Sequence, residues 1–188
     1  PTTPSRRRMV TIDCRKFLTE SKPEKSLTHG QKRSVGRNSQ GRITTRHKGG
    51  GNKRLYRDVD FKFDKRDVPA RVMSVEYDPN RSGFIGILQY KDGEKRYTLL
   101  PKNVTVGADI IVSEKAPIKP GNRLPVKFIP VGTFIYNIEI KPQGGAKMVR
   151  SAGVFAQLIA NDAGYAQIKM PSSEVRKIPE LAWASIGS

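Results

Sequence analysis

Cysteine occurs once in these 188 residues, at Cys14, and histidine twice, at His29 and His47. No internal disulfide can form and no metal-ligand spacing is present, so a reducing compartment and a metal-free fold are expected. Long apolar runs are missing as well. The longest, Gly83 to Leu88 with its two glycines counted, spans six residues, against about 20 for a membrane-spanning helix, so no membrane partner is expected. Acid is scarce: 35 Lys and Arg face 17 Asp and Glu, a net charge of +18, and no acidic residue lies between Glu24 and Asp58. A polyanion is the expected partner.

The charge that is present is unevenly placed. Through Asp60 the chain holds 16 basic and 5 acidic residues, net +11, and the remainder is +7. The acid-free stretch contains ten cations: Lys25, Lys32, Arg33, Arg37, Arg42, Arg46, Lys48, Lys53, Arg54 and Arg57. It also contains Gly30, Gly36, Gly41, Gly49, Gly50 and Gly51, with Val35 and Ile43 nearly its only apolar side chains. Self-repulsion keeps such a segment open, and it has too little apolar surface to offset the entropy of ordering. Residues 1 to about 58 are read as an extension without its own core that orders on its partner. Arg6, Arg7 and Arg8 fit either an acid-poor presequence or a phosphate-contacting tail; Asp13, Glu20 and Glu24 argue against a long presequence.

From Phe61 onward, short β-rich segments alternate with turn residues, as in small barrels or sandwiches. Strands are predicted over 70–77 and 83–90, and Asp92-Gly93 is a hairpin signal. A strand over 109–113 and the turn Lys119-Pro120-Gly121-Asn122 carry the first β unit to about residue 125. From Gly132, Phe134, Tyr136, Ile138 and Ile140 are predicted to share one face, with Asn137 and Glu139 on the other. Strands over 154–160 and 165–170 flank an Asn161-to-Gly164 turn, and 174–178 and 181–186 would close a second unit with Trp183 in its core or seam. No long amphipathic helix is apparent.

Catalytic patterns are weak. Gly49-Gly50-Gly51-Asn52-Lys53-Arg54 lacks the glycine that GxGxxG needs at Arg54, and no GxxxxGK[ST] occurs. The glycines fit close approach of bare backbone to a phosphodiester chain, with Arg46, Lys48, Lys53 and Arg54 beside them. Cys14 has no histidine near it in sequence, and His47 fits base stacking or hydrogen bonding better than general-base work. Asp78, Asp92 and Asp162 fall in turns, where Asp caps backbone. No catalytic residue, cofactor or small-molecule substrate is expected. Arg81, Lys91, Lys95, Arg96, Lys119, Arg123, Lys147 and Arg150 lie in or next to predicted turns and repeat the sign of the extension. With no recognition helix for a major groove, single-stranded or irregular RNA is the better partner.

Several strings then carry a resemblance. They are GRITTRHKGGG (41–51), DVDF (58–61), EYDPNRS (76–82), YKDGEKRY (90–97), IKPGNRLP (118–125) and IEIKPQGGAKMVRSAG (138–153). Together they closely resemble the universal large-subunit ribosomal protein number two, in its bacterial or organellar form. The resemblance implies a mainly β protein: an extended basic arm (1–60), an OB-fold barrel (61–125) and an SH3-like barrel (126–188). It implies binding to large-subunit rRNA and neighbouring ribosomal proteins, with roles in assembly, subunit association and the peptidyl-transferase region. The matching strings make Arg42, Thr44, Thr45, Arg46, His47, Lys48, Gly49, Gly50, Gly51, Arg81, Lys119, Asn122, Lys147, Arg150 and Ser151 the implied RNA contacts. Charge adds Arg6, Arg7, Arg8, Arg37, Lys53, Arg54, Arg57, Lys91, Arg96 and Arg123.

Family members usually continue into a basic Gly- and His-rich extension. Here the sequence stops at Ser188, leaving an extension that is disordered, lost or supplied by a separate chain, while Pro1 suggests a processed or trimmed start. Any structural Mg²⁺ would belong to the rRNA. The expected location is the ribosome of a bacterial cytoplasm, mitochondrial matrix or plastid stroma. A free RNA-binding module, such as a chaperone or translation factor, is the alternative; an enzyme acting on RNA is a more distant one.

Overall fold

The computed structural model describes residues 2–31 and 35–188; the Pro1 start and the cations Lys32 and Arg33 lie outside the described residues. A five-residue helix, α1 (Pro4–Arg8), is capped by the Thr3 hydroxyl, which accepts from Arg6 N. Strands β1 (Thr28–Gly30) and β2 (Leu55–Arg57) pair antiparallel. No described residue before Arg57 is buried, as expected of a segment with little apolar surface to remove from water. The ribbon nevertheless ties both ends of the cation-rich stretch, which thus leaves and returns at one place.

The chain also latches onto the first sheet before the ribbon. Thr19 Oγ1 accepts from Val75 N at 2.9 Å, and Glu24 N donates to the Tyr97 hydroxyl at 2.8 Å. That hydroxyl in turn donates to the buried Glu76 carboxylate at 2.7 Å, whose other oxygen accepts from Ser74.

The first sheet contains β3 (Ala70–Glu76), β4 (Ile85–Tyr90), β5 (Lys95–Leu99) and β6 (Asp109–Ile110) in the order β5-β4-β3-β6. In β3, Ala70, Val72, Ser74 and Glu76 are buried while Arg71 and Met73 are exposed, the period-2 alternation of a sheet with one wet face. The Asp92-Gly93 hairpin forms with a three-residue loop. Tyr90 N donates to Glu94 O, Gly93 N donates to Tyr90 O, and only Gly93 has positive φ, at 86°. This is the arrangement of a type I turn closed by a left-handed glycine. The segment over 109–113 is shorter than expected. Ile111 N is taken by the Asn122 side chain and Val112 bridges to Arg123, so regular pairing stops at Ile110.

The remaining strands are β7 (Arg123–Pro125), β8 (Phe134–Tyr136), β9 (Ile138–Glu139), β10 (Ala146–Met148), β11 (Ala156–Asp162), β12 (Tyr165–Lys169), β13 (Val175–Pro179) and β14 (Trp183–Ile186). Six form one sheet, β13-β12-β11-β8-β14-β7, and β9 pairs with β10. Arg123–Pro125, which the sequence reading sets at the end of the first unit, is hydrogen-bonded to β14. Inside lie Leu124, Val126, Ile135, Ile138, Leu158, Ile168 and Ile178, each contributing roughly 1.5–3 kcal/mol by leaving water. The hairpin β11–β12 turns through Ala163 and Gly164 alone, both left-handed, so β11 runs two residues further, through Asn161 and Asp162, than the four-residue turn expected from sequence, while β12 begins at Tyr165 as expected.

The two curled sheets make the protein mainly β and fit an OB-fold barrel followed by an SH3-like barrel. They meet where Tyr136 packs against Ile85, Ile87, Tyr97 and Leu99. Trp183 is buried. Among the described residues, no helix exceeds five residues, and none is long and apolar enough to cross a membrane.

The alternation expected over 134–140 is corrected. Asn137 and Glu139 are buried at 1% and 2% exposure, whereas Phe134 and Ile140 are exposed. Asn137 adopts φ 50°, which breaks the period-2 pattern and separates β8 from β9. Glu139 turns inward to Arg123, Oε1 to Nη2 at 2.9 Å; Arg123 also donates to Asn137 O at 2.5 Å and lies 4.3 Å from the Phe63 ring centre. Burial pushes the Arg123 guanidinium down to about 10, against the opposing pull of Glu139. Removing one partner strands the other charge inside. Arg123→Ala is expected to lower unfolding free energy by about 3–5 kcal/mol in urea titration, whereas Arg123→Met with Glu139→Leu recovers most of that loss.

Candidate nucleic-acid interface

From Arg37 to Leu55 every residue is exposed, and no ion pair among the described residues uses a cation between residues 30 and 57. Arg37, Arg42, Arg46, Lys48, Lys53 and Arg54 thus present positive charge that no internal carboxylate engages. The loop has backbone order without a core. Gly36 O accepts from Thr44 N at 2.8 Å and Thr45 N at 3.1 Å; Asn38 and Arg42 exchange further bonds, and Arg37 Nη1 donates to Gly41 O. Gly36 has φ 72°, and a Cβ there would lie 2.2 Å from Thr45 O, so only glycine closes this turn.

Beyond the turn, Val35, Ile43, Thr45, Arg46, His47, Lys48, Gly49 and Gly50 help line a cavity of about 380 Å³. His47 is itself left-handed at φ 60°. Gly51 is exposed with φ 89°. The sequence-predicted loop residues are therefore gathered on one cationic, groove-bearing excursion. Arg6, Arg7 and Arg8 sit apart on α1, all exposed.

A second cluster forms from residues far apart in sequence. Arg81 and Arg150 both lie over the Phe61 ring, at 5.4 and 4.5 Å from its centre. Arg81 Nε donates to fully buried Asp78 at 2.5 Å, and Arg150 Nη1 donates to Ala146 O at 3.5 Å. The Ser82 hydroxyl accepts from Ala152 N at 3.1 Å, bringing the loops 78–83 and 149–153 together, with Lys147 exposed on β10 and Ser151 exposed on the second loop. Phe61 was not singled out by charge or motif; its place in DVDF, where the acidic cluster meets the first β unit, was the available signal. Lys91 and Lys119 are exposed loop cations.

Four expected contacts are placed differently. The Arg123 side chain is closed off from the surface by the ion pair with Glu139. Asn122 is 2% exposed, accepting from Ile111 N and donating to Pro117 O, a capping role inside the fold. Arg57 is buried with Nη1 on Leu55 O. Arg96 is engaged by Asp60, Asp64 and Glu94. Burial opposes its charge, but hydrogen bonds to Glu94, Asp64 and Asp60 outweigh this and hold it protonated beyond the ordinary guanidinium range. Sequence shows the charge of Arg96 and Arg123 but not which carboxylates meet them, nor that Asn122 and Arg57 turn to backbone carbonyls.

A basic β protein with an exposed cationic loop and a paired-arginine cluster defines an RNA-binding class. Family models agree: residues 24–112 match the RNA binding N-terminal domain of Ribosomal Proteins L2, and residues 119–188 match the C-terminal domain. The chain is 55% identical over all 188 residues to the large ribosomal subunit protein uL2 of Hyphomonas neptunium, covering 68% of that protein. To the proteins of the same name from Phenylobacterium zucineum and Maricaulis maris it is 50% and 49% identical, covering all of this chain and 67% of each of theirs. The chain belongs to the L2 family of ribosomal proteins.

Two outcomes follow from this geometry. Phe61→Leu, which keeps apolar bulk but removes the ring beneath both guanidinium groups, should weaken rRNA-fragment binding roughly fivefold in a gel-shift titration. The carboxyls of Asp64, Asp92 and Glu94 are held below their ordinary values by hydrogen bonds from Arg96 to Asp64, Lys65 to Asp92, and Arg96 then Lys65 to Glu94. Their contribution is complete above the ordinary carboxylate range near about 4 and disappears as pH falls through the lowered values. Melting temperature should drop on acidification below about pH 4, and Asp92→Asn should shrink that drop.

Proposed function

We propose that the protein is a structural, non-enzymatic constituent of the large ribosomal subunit that binds 23S-type rRNA, supporting assembly, subunit association and the peptidyl-transferase region. The observation that carries this reading is the run of exposed cations from Arg37 to Arg54 with no carboxylate partner inside the fold. Such a loop is electrostatically unfavourable alone and is neutralised by packed phosphates, with counterion release adding to affinity. Gly49, Gly50 and Gly51 let backbone N–H groups approach a phosphodiester chain that a side chain would hold away. Arg81 and Arg150 offer a second contact, each pre-positioned over Phe61, so less rotamer freedom is lost on binding. Neighbouring ribosomal proteins are further partners, no cofactor is required, and the bacterial relatives support a cytoplasmic ribosome over an organellar one.

If about ten phosphates are neutralised, affinity for an rRNA fragment should fall roughly a thousandfold or more between about 50 and 200 mM salt. A filter-binding titration nearly flat in salt would overturn the reading. Sedimentation separates a resident protein from a loosely held factor: the resident stays with the large subunit through a high-salt wash.

A further inference from the structure

The outer face of the six-stranded sheet carries a feature that neither the charge pattern nor the string matches single out. Phe134 and Phe155 are 47% and 42% exposed, yet their rings pack on each other with centres 4.5 Å apart. Large apolar side chains left this open are seldom fixed together without use.

The register shows what lies beside them. Phe134 pairs with Gln157, Gln157 with Lys169, and Lys169 with Val175, so one row crosses four strands on a single face, at about 4.8 Å per strand. The next row pairs Ala160 with Gln167 and Gln167 with Lys177. Lys169 and Lys177 are exposed, and neither is in an ion pair among the described residues. These rows contain amides, lysines and apolar groups but no carboxylate. The nearest acid on that face by register is Asp162, opposite Tyr165 in the row next to Lys177 but two strands across from it, at the turn of the β11–β12 hairpin. Glu174 pairs with Arg176, whose partner across the sheet is the inward Ile168.

The geometry points to a second RNA site on this face: an unpaired base stacks on the Phe134–Phe155 pair, and the adjoining phosphates lie toward Lys169 and Lys177. Rings supply a sequence-tolerant surface, since every base has a π-face, and lysines two and three strands away suit the span from a base to the neighbouring backbone. The absence of carboxylates from these two rows favours a polyanion over a protein segment, which would also need groups to satisfy both lysines. The inference rests on the RNA-binding reading above but concerns a different surface from the loop and the Phe61 cluster.

The test uses the whole chain and a short single-stranded RNA carrying 4-thiouridine, photocrosslinked and mapped by peptide mass spectrometry. Crosslinks are expected at Phe134 or Phe155 as well as in the cationic loop. Phe134→Leu with Phe155→Leu preserves apolar bulk but removes the rings; it should abolish the sheet-face crosslinks, leave those in the loop, and weaken oligonucleotide binding about tenfold. Lys169→Gln with Lys177→Gln should weaken binding and reduce its salt dependence. Crosslinks confined to the loop would overturn the second site and leave the RNA-binding reading standing; none anywhere would overturn both. Unchanged binding by the double leucine variant, with the face shielded by a protein neighbour in assembled subunits, would assign it to protein docking and also overturn the site.

Discussion

A guanidinium sealed from water sits at the centre of this molecule, and the second barrel is arranged around its two terminal nitrogens, leaving Nε without a hydrogen-bond partner. Arg123 reaches Glu139, Asn137 O, Trp183 O and the face of Phe63. Glu139 in turn accepts from Gln143 N and Trp183 N. One ion pair therefore ties β7, β9 and β14 to one another, and Arg123 also holds the carbonyl of Asn137 at the left-handed break. Such a pair adds little net stability over an apolar replacement of the same volume, but it penalises any register that leaves one partner alone. Its role here is to select one arrangement of short strands that have few regular hydrogen bonds of their own.

Charge is handled in two opposite ways along the chain. In the first barrel, cations are drawn into internal accounts of opposite sign: Arg96 with three carboxylates, Lys65 with Asp92 and Glu94, Arg81 with Asp78. In the loop between β1 and β2 no cation among the described residues is balanced. The same residue types thus serve to hold the fold in one region and to face outward in the other. Net charge alone does not distinguish them.

The strand-rich second part was legible because period-2 burial is written directly into β3, β11 and β12, and because Asp92-Gly93 and Pro120-Gly121 mark turns through known backbone preferences. The lack of a core before Arg57 was legible for the complementary reason, too few apolar side chains. What escaped were positions decided by distant partners. Nothing local in Asn137 or Glu139 announces burial; only Arg123, far along the chain, makes an inward carboxylate favourable. The clustering of Arg81 with Arg150 around Phe61 was hidden in the same way, as was the latch from Glu24 to Tyr97. Asn122 and Arg123 looked like surface groups because they lie in and next to a turn, and tertiary contacts overrode that setting.

The β1–β2 ribbon also sets a length scale. With Gly30 opposite Leu55, the 24 intervening residues must travel out and back, so even a fully stretched hairpin extends no more than about 40 Å from its base. The excursion behaves as a tethered probe of bounded radius: it can explore a crevice close to the barrels and cannot stray to remote sites as an open-ended tail of equal length could.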